Sequence, residues 1–290
     1  MLQTVLSQIA QCHTLQRAQA GYPARLMAAE DPPETLHVLG NPGILGAPHV
    51  VALVGARAAS AAGLARARLL AAGLVERGTV VISGGAIGID AAAHAGTIEA
   101  GGRTAAVVAG GVIRPYPSRN HWLFDEMLAR DGALVSPFTG ETPVRRWSFL
   151  RRNAVIAALA DAVVVVEAQS RSGSLHTARA AARSGRQVLA VPGSPGTELL
   201  IAQGAGVGAG PEDVLAPRSV ELPIPEGEAA QVLDVLDPVQ PFDVEGVSSL
   251  VGLPPRSVAR ALVALELDGL ALPVPGGSYI RSIRACGGRT

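Results

Sequence analysis

The sequence predicts an α/β protein: a Rossmann-like, doubly wound, mostly parallel sheet followed by a small C-terminal winged-helix domain. Three observations carry that reading. Apolar, β-branched runs begin every 25–30 residues or so, they are continuous rather than alternating, and Ala-rich segments of helical character fill the gaps. Continuous hydrophobicity means that both faces of each strand are covered, the condition of a parallel sheet between two helical layers. Strand, helix, strand at this spacing is a βαβ series.

Taken in order, Leu2–Ala20 reads as one or two short helices, giving a helical segment over 1–20, and 22–49 as a Pro-rich, partly extended lead-in to a sheet domain spanning 21–217. The strands follow as VVALV (50–54), TVVIS (79–83), TAAVVA (104–109), ALVS (133–136), AVVVVEA (162–168) and QVLAVPG (187–193). The stretch PRSVELPIPEGE has three prolines, three acids and no periodicity, and reads as a linker over 218–228. Residues 229–290 change character. AAQVLDVL and VEGVSSLVG form two helices, and PPRSVARALVALELDGL a third, opened by proline and closed by Gly269. LPVPGGSYIRS then makes a hairpin, and three helices with a β-wing are a winged-helix module.

Composition excludes several classes. At 290 residues, 48% apolar and 17% charged, the chain is globular. No apolar stretch approaches the ~18 residues of a membrane helix, and no basic-then-apolar leader opens it, so a soluble cytoplasmic protein is expected. Cys12 and Cys286 lie at opposite ends without a CxxC partner, and the six histidines have no ligand spacing. Neither a disulfide framework nor a metal site is expected, and no cofactor. All 24 cationic residues are arginine. No Schiff-base or P-loop lysine exists, and every cation is a planar, permanently charged fork. The net charge of zero averages unlike regions: +6 over 103–186, −9 over 187–246 and +3 over 247–290. Such asymmetry favours an anionic partner on one surface.

In an open α/β sheet, ligands bind beyond the carboxyl ends of the strands. The first strand is followed there by GARAAS, in which Gly55 permits the turn, Arg57 sits at the mouth and Ser60 caps the next helix. After the second comes SGGAIGID, with Ser83, Gly84, Gly85 and Gly88 in a strand-to-helix turn and Asp90 at the helix start; its free N–H groups make an anion site. After the fifth comes QSRSGSLHTA, carrying Arg171, Ser172, Gly173, Ser174 and Thr177. Each loop alone is ordinary turn chemistry. Three on one edge, with arginines, converge on phosphate. Between 114 and 152 lie seven arginines and six of the nine aromatics: Tyr116, Trp122, Phe124, Phe138, Trp147 and Phe149. Arginine interleaved with aromatics is the composition of a groove that holds a backbone and stacks single-stranded bases, with Phe124 and Phe138 read as core. Reaction machinery is not visible: GxGxxG, Walker A and GxSxG are absent, Asp90 reads as a helix N-terminal acid, and only Glu167, at a strand end, stays open for acid–base work.

The run of motifs VALVGARAAS, SGGAIGIDAAAHAGTIEAGGRTAAVVAGG, YPSRN, FLRRN, VVVVEAQSRSGSLHTARAAARSGRQVLAVPG and GTELLIAQGA, in order between about Gly21 and Gly210, resembles the DprA/Smf (DNA processing protein A) family. The resemblance implies a non-enzymatic protein that binds single-stranded DNA, protects incoming strands in natural transformation, loads the RecA recombinase and acts as a homodimer. Carried over by position, it implies site roles for Arg57, for Ser83, Gly84 and Gly88, for Arg119 and Asn120, for Arg151, Arg152 and Asn153, and for Ser172, Gly173, Ser174 and Thr177. Ile87 and Ala154 stand where the family usually has basic residues. Most relatives also carry a longer N-terminal helical domain. The expected mechanism has Arg57 and Arg152 on phosphates, the 83–88 loop donating N–H groups, and an aromatic stacking a base. Two other readings are carried beside it. One is a phosphoribohydrolase-like nucleotide enzyme, which the missing PGGxGTxxE glutamate disfavours. The other is a duplex-DNA regulator working through Arg256 and Arg260 of the third winged-helix helix.

Overall fold

The computed structural model describes residues 12–29, 31–216, 225–283 and 285. The six strands read as continuous apolar runs form the centre of one sheet: β3 (Val50–Val54), β4 (Val80–Ser83), β5 (Thr104–Val107), β6 (Ala133–Ser136), β7 (Ala162–Val165) and β8 (Gln187–Ala190). All pair in parallel, in the order β6-β5-β4-β3-β7-β8. Their side chains alternate between two covered faces. Val50, Ala52 and Val54 point to the layer of α1 (Ala24–Met27), α5 (Arg146–Leu159), α6 (Ser174–Arg183) and α7 (Pro195–Ala202). Val51 and Leu53 point to α2 (Ala61–Val75) and α3 (Ile89–Glu99), and α4 (His121–Ala129) covers the same face further along. This two-sided burial is why the strands show no polar alternation.

The sheet is wider than the sequence suggested. The lead-in contributes β2 (Thr35–Gly40), antiparallel to β6, and β9 (Gly206–Val207) extends the opposite edge. The helices expected within Leu2–Ala20 are corrected over residues 12–16, which form β1 (Cys12–Gln16), antiparallel to β2 from Cys12 opposite Leu39 to Gln16 opposite Thr35. Residues 1–11 of that expectation lie outside the described residues. Pairing with β1 satisfies the outer N–H and C=O groups of β2, which would otherwise form an open edge.

Behind α8 (Pro211–Leu215) comes the expected linker, most of which lies outside the described residues. It ends earlier than read: α9 (Gly227–Val235) already includes residues 227 and 228. Helix α10 (Val244–Val251), α11 (Pro255–Leu267) and the hairpin β10 (Ala271–Val274)–β11 (Ser278–Arg281) complete a winged helix around Val232, Val247, Val258, Leu262, Leu265 and Leu270. Gly252 and Gly269, both with positive φ, end its last two helices. The module is fastened to the sheet domain: Ile283 is buried in the main core, its N–H donates to the Gln203 carbonyl at 3.1 Å, and Asp237 faces Arg183 at 3.8 Å. Among the described residues no helix is long and apolar enough to cross a membrane.

Candidate functional site

The strand order reverses between β3 and β7. The loops leaving these neighbours turn to opposite faces, to α2 and α6, and open a crevice at the carboxyl edge. A cleft of about 430 Å³ occupies it, lined by Gly55, Arg57, Arg152, Asn153, Arg171, Ser172, Gly173, Ser174 and Thr177 among the residues expected from sequence, together with Asp90, Phe149 and Gln169. A smaller apolar slot of about 50 Å³ adjoins it, walled by Tyr116, Pro117, Phe149 and Ile87 and touching Gly84.

The β3–α2 loop is built by its cap. The Ser60 hydroxyl accepts from the Gly63 N–H at 2.9 Å and donates to the Glu167 carboxylate at 2.6 Å, while the Ser60 N–H reaches the same carboxylate at 3.0 Å. Glu167, the acid left open for chemistry, is therefore a tether between β7 and α2. Its carbonyl also accepts from the Ala56 N–H at 2.7 Å. Between these anchors Arg57 projects into solvent. Its guanidinium lies 4.9 Å from the centre of the Phe149 ring, and that of Arg152 lies 5.8 Å from the same centre. Phe149 is thus held by two cations at the cleft wall.

The β4–α3 loop corrects one expectation. Asp90, buried at 6% exposure, accepts from the N–H groups of Gly84 at 3.1 Å and Ala86 at 3.4 Å. Two donors that the sequence offered to a ligand are taken by the protein's own carboxylate, because the first turn of α3 folds back beneath the glycines. Ser83 is fully buried and donates to the Leu53 carbonyl at 2.5 Å. At Gly88, with φ +84°, a Cβ would overlap the carbonyls of Ala56 and Arg57, so only glycine lets the two loops close on each other. That closure is fixed by the Ile89 N–H on the Ala56 carbonyl at 3.1 Å.

Arg152 lies at the bottom of the cleft. It is 6% exposed, and its Nη1 donates to the carbonyls of Gly84 and of Val107 (2.8 Å) while Nε donates to Asn153 Oδ1 at 3.0 Å. It forms part of the floor of the cleft and does not project from it. Burial pulls its pKa down to about 10, opposed by Asp90 and assisted by Arg57, so it stays charged at neutral pH. Asp90 is pushed up by burial, against the pull of Arg152 and of the loop N–H groups. Asn153 Nδ2 reaches the Gly173 carbonyl at 3.3 Å, tying α5 to the third loop, where Ser172 and Ser174 hydroxyls meet at 2.8 Å. Asn120, also buried, donates to the Gly85 carbonyl at 2.9 Å. Arg171 and Arg119 are exposed, Arg171 at the cleft and Arg119 beyond its lining. Arg151 lies apart from the cleft: one residue from Arg152 but about 100° around the helix, it pairs with Asp31 beside a separate hollow against α1. Phe138, read as core, is half-buried, with Trp147 edge-on to it and exposed.

Deeper in α3, His94 is fully buried. Its Nδ1 lies 2.8 Å from the Thr104 hydroxyl, whose own proton goes to the Val81 carbonyl at 2.6 Å, so Nδ1 carries the hydrogen and the ring is neutral. Burial, with Arg152 adding, pulls its pKa down to about 3. Among the described residues no group of three or more side chains is arranged to hold a metal ion.

Fold and crevice together define a Rossmann-like protein with an arginine-lined cleft at its switch point and a winged helix fastened behind it. The family model for DNA recombination-mediator protein A matches residues 13–218, and that for the DprA winged helix domain matches 216–277. The chain belongs to the DprA/Smf family. It is 39% identical over 294 residues to Protein Smf of Escherichia coli K12, covering 91% of this chain and 76% of that one. To DprA of Bacillus subtilis it is 38% identical, covering 67% of each; of a Mycobacterium tuberculosis relative it spans 62%. Among solved structures, DprA from Streptococcus pneumoniae superposes with a TM-score of 0.68 at 34% identity, over 76% of this chain and 79% of that one. DNA processing protein A from Helicobacter pylori, whose structure concerns its single-stranded DNA binding mode, gives 0.62 at 29%, over 68% and 89%.

Proposed function

We propose that the cleft grips single-stranded DNA, and that the protein thereby protects incoming strands and delivers them to the RecA recombinase in natural transformation, working as a homodimer without cleaving its ligand. The observation that carries the reading is the cleft's composition. A projecting Arg57 over the Phe149 ring, an exposed Arg171 and the side chains of Ser172 and Ser174 line one cleft, with an apolar slot alongside. Cations and hydroxyls suit a phosphate backbone, and an aromatic wall suits a base of any identity. Family membership and the single-strand binding of the Helicobacter pylori relative support the choice of ligand. Two linked cleft copies would hold one strand with raised avidity.

The test is a titration of labelled oligo-dT at several salt concentrations, with duplex as competitor. For single strands, each phosphate neutralised contributes a slope of roughly −0.7 in log affinity against log salt. Arg57→Ala should weaken binding to all sequences alike and flatten the slope by about that amount. Unchanged affinity and slope would remove Arg57 from the site, and preference for duplex would overturn the ligand.

A further inference from the structure

We propose a second base-stacking platform outside the cleft, formed by Trp147 braced on Phe138, which receives a further nucleotide of the same strand. It rests on the reading that the cleft binds single-stranded DNA. Trp147 is the second residue of α5 and 60% exposed, with its ring 5.4 Å from that of Phe138 at an interplanar angle of 81°. The edge-on contact fixes the indole while leaving most of it in water. Phe138 is itself anchored, its N–H on the Ser136 hydroxyl at 3.0 Å.

The charges around this pair identify the ligand class. Several exposed arginines elsewhere on the molecule meet acids, Arg68 with Glu99, Arg77 with Glu212 and Arg103 with Asp131, while Arg66 and Arg256 stand singly, without a neighbouring exposed aromatic pair. Arg145 and Arg146, which flank Trp147 in the chain, are exposed and have no acid partner among the described residues, as is also true of Arg57, Arg119 and Arg171. Unpaired cations beside a held aromatic suit phosphate and base, not an apolar peptide face. Continuity supplies the path. Trp147 and Phe149 are two residues apart in the first turn of α5, so they sit on opposite sides of its N-terminal end. Phe149 faces the cleft between Arg57 and Arg152, and Trp147 faces Phe138 after β6. A strand leaving the cleft across that helix end passes from one aromatic to the other, over a helix terminus that itself favours anions.

The chain has two tryptophans, so Trp122→Phe makes Trp147 the sole indole reporter. That protein is titrated with oligo-dT of about 4 and about 12 nucleotides, the range that single-strand grooves span. The 12-mer should quench Trp147 emission. In a parallel series, Trp147→Ala should cut the ratio of 12-mer to 4-mer affinity about tenfold, toward the low end of one base–aromatic stack, and Trp147→Phe should restore most of it. An unchanged ratio with no quenching, while Arg57→Ala still weakens both oligomers, overturns the platform and leaves the cleft reading intact. Equal weakening of both lengths by Trp147→Ala means that the cleft was disturbed instead, and also overturns it. If neither oligomer binds the wild-type protein, the cleft reading fails and this one with it.

Discussion

The floor and the lip of the cleft use the same residue types for opposite ends. On the floor, Arg152, Asp90, Asn120 and Ser83 are buried and hydrogen-bonded to one another's loops. On the lip, Arg57 and Arg171 are exposed and have no acid partner among the described residues. Both sets stand in the motifs that define the family resemblance, yet the floor spends most of its donors inside the protein while the lip keeps its own for solvent. A motif residue can thus serve the shape of a site, and a charge buried with its partner contributes geometry more than attraction.

The contrast is sharpest where the floor is broken. Arg152→Ala leaves Asp90 buried without its compensating charge and should lose about 3–5 kcal/mol of stability, read as a lowered urea midpoint. Acid reaches the same layer through His94. Its pKa is about 3 in the folded protein and about 6.5 unfolded, so the unfolded chain takes the proton first. Its contribution is complete above pH 6.5 and falls by about 1.4 kcal/mol per unit as the pH drops from 6.5 toward 3. Urea midpoints measured across that window should show this slope, and His94→Asn should flatten it. At the hinge between floor and lip, Ser60→Ala removes the α2 cap and a tether of Glu167, for an expected loss of about 1–2 kcal/mol in thermal or urea unfolding. On the lip the readouts invert. Arg57→Ala should move stability by no more than about 0.5 kcal/mol while weakening DNA binding, and equal damage to both would erase the distinction. The smallest effect on binding belongs to Arg151→Ala, outside the cleft: about 1 kcal/mol or less of stability, with the salt slope of DNA binding unchanged.

The central six strands were legible because burial on both sides writes itself as unbroken valine and alanine runs. The flanking strands were not. β1 is an exposed edge of sequence CHTLQ with no apolar period, and β9 has two residues. The loops of the cleft could be found from glycine, serine and arginine at strand ends. Which arginine faces in could not: Arg151 and Arg152 are neighbours, and only the docking of α5 on the sheet decides that one lines a floor and the other meets Asp31. Asp90 was visible as a helix-start acid, but its claim on the loop donors depends on a backbone reversal that no spacing encodes.

The three loops around the cleft are bolted together by short bonds, Ala56 to Glu167, Ile89 to Ala56 and Asn153 to Gly173. The rim is therefore a finished mould, with little entropy left for the protein to surrender on binding. Whatever enters must do the bending. An unstacked, supple strand such as oligo-dT should seat more readily than oligo-dA, whose stacked bases have to be peeled apart before they fit.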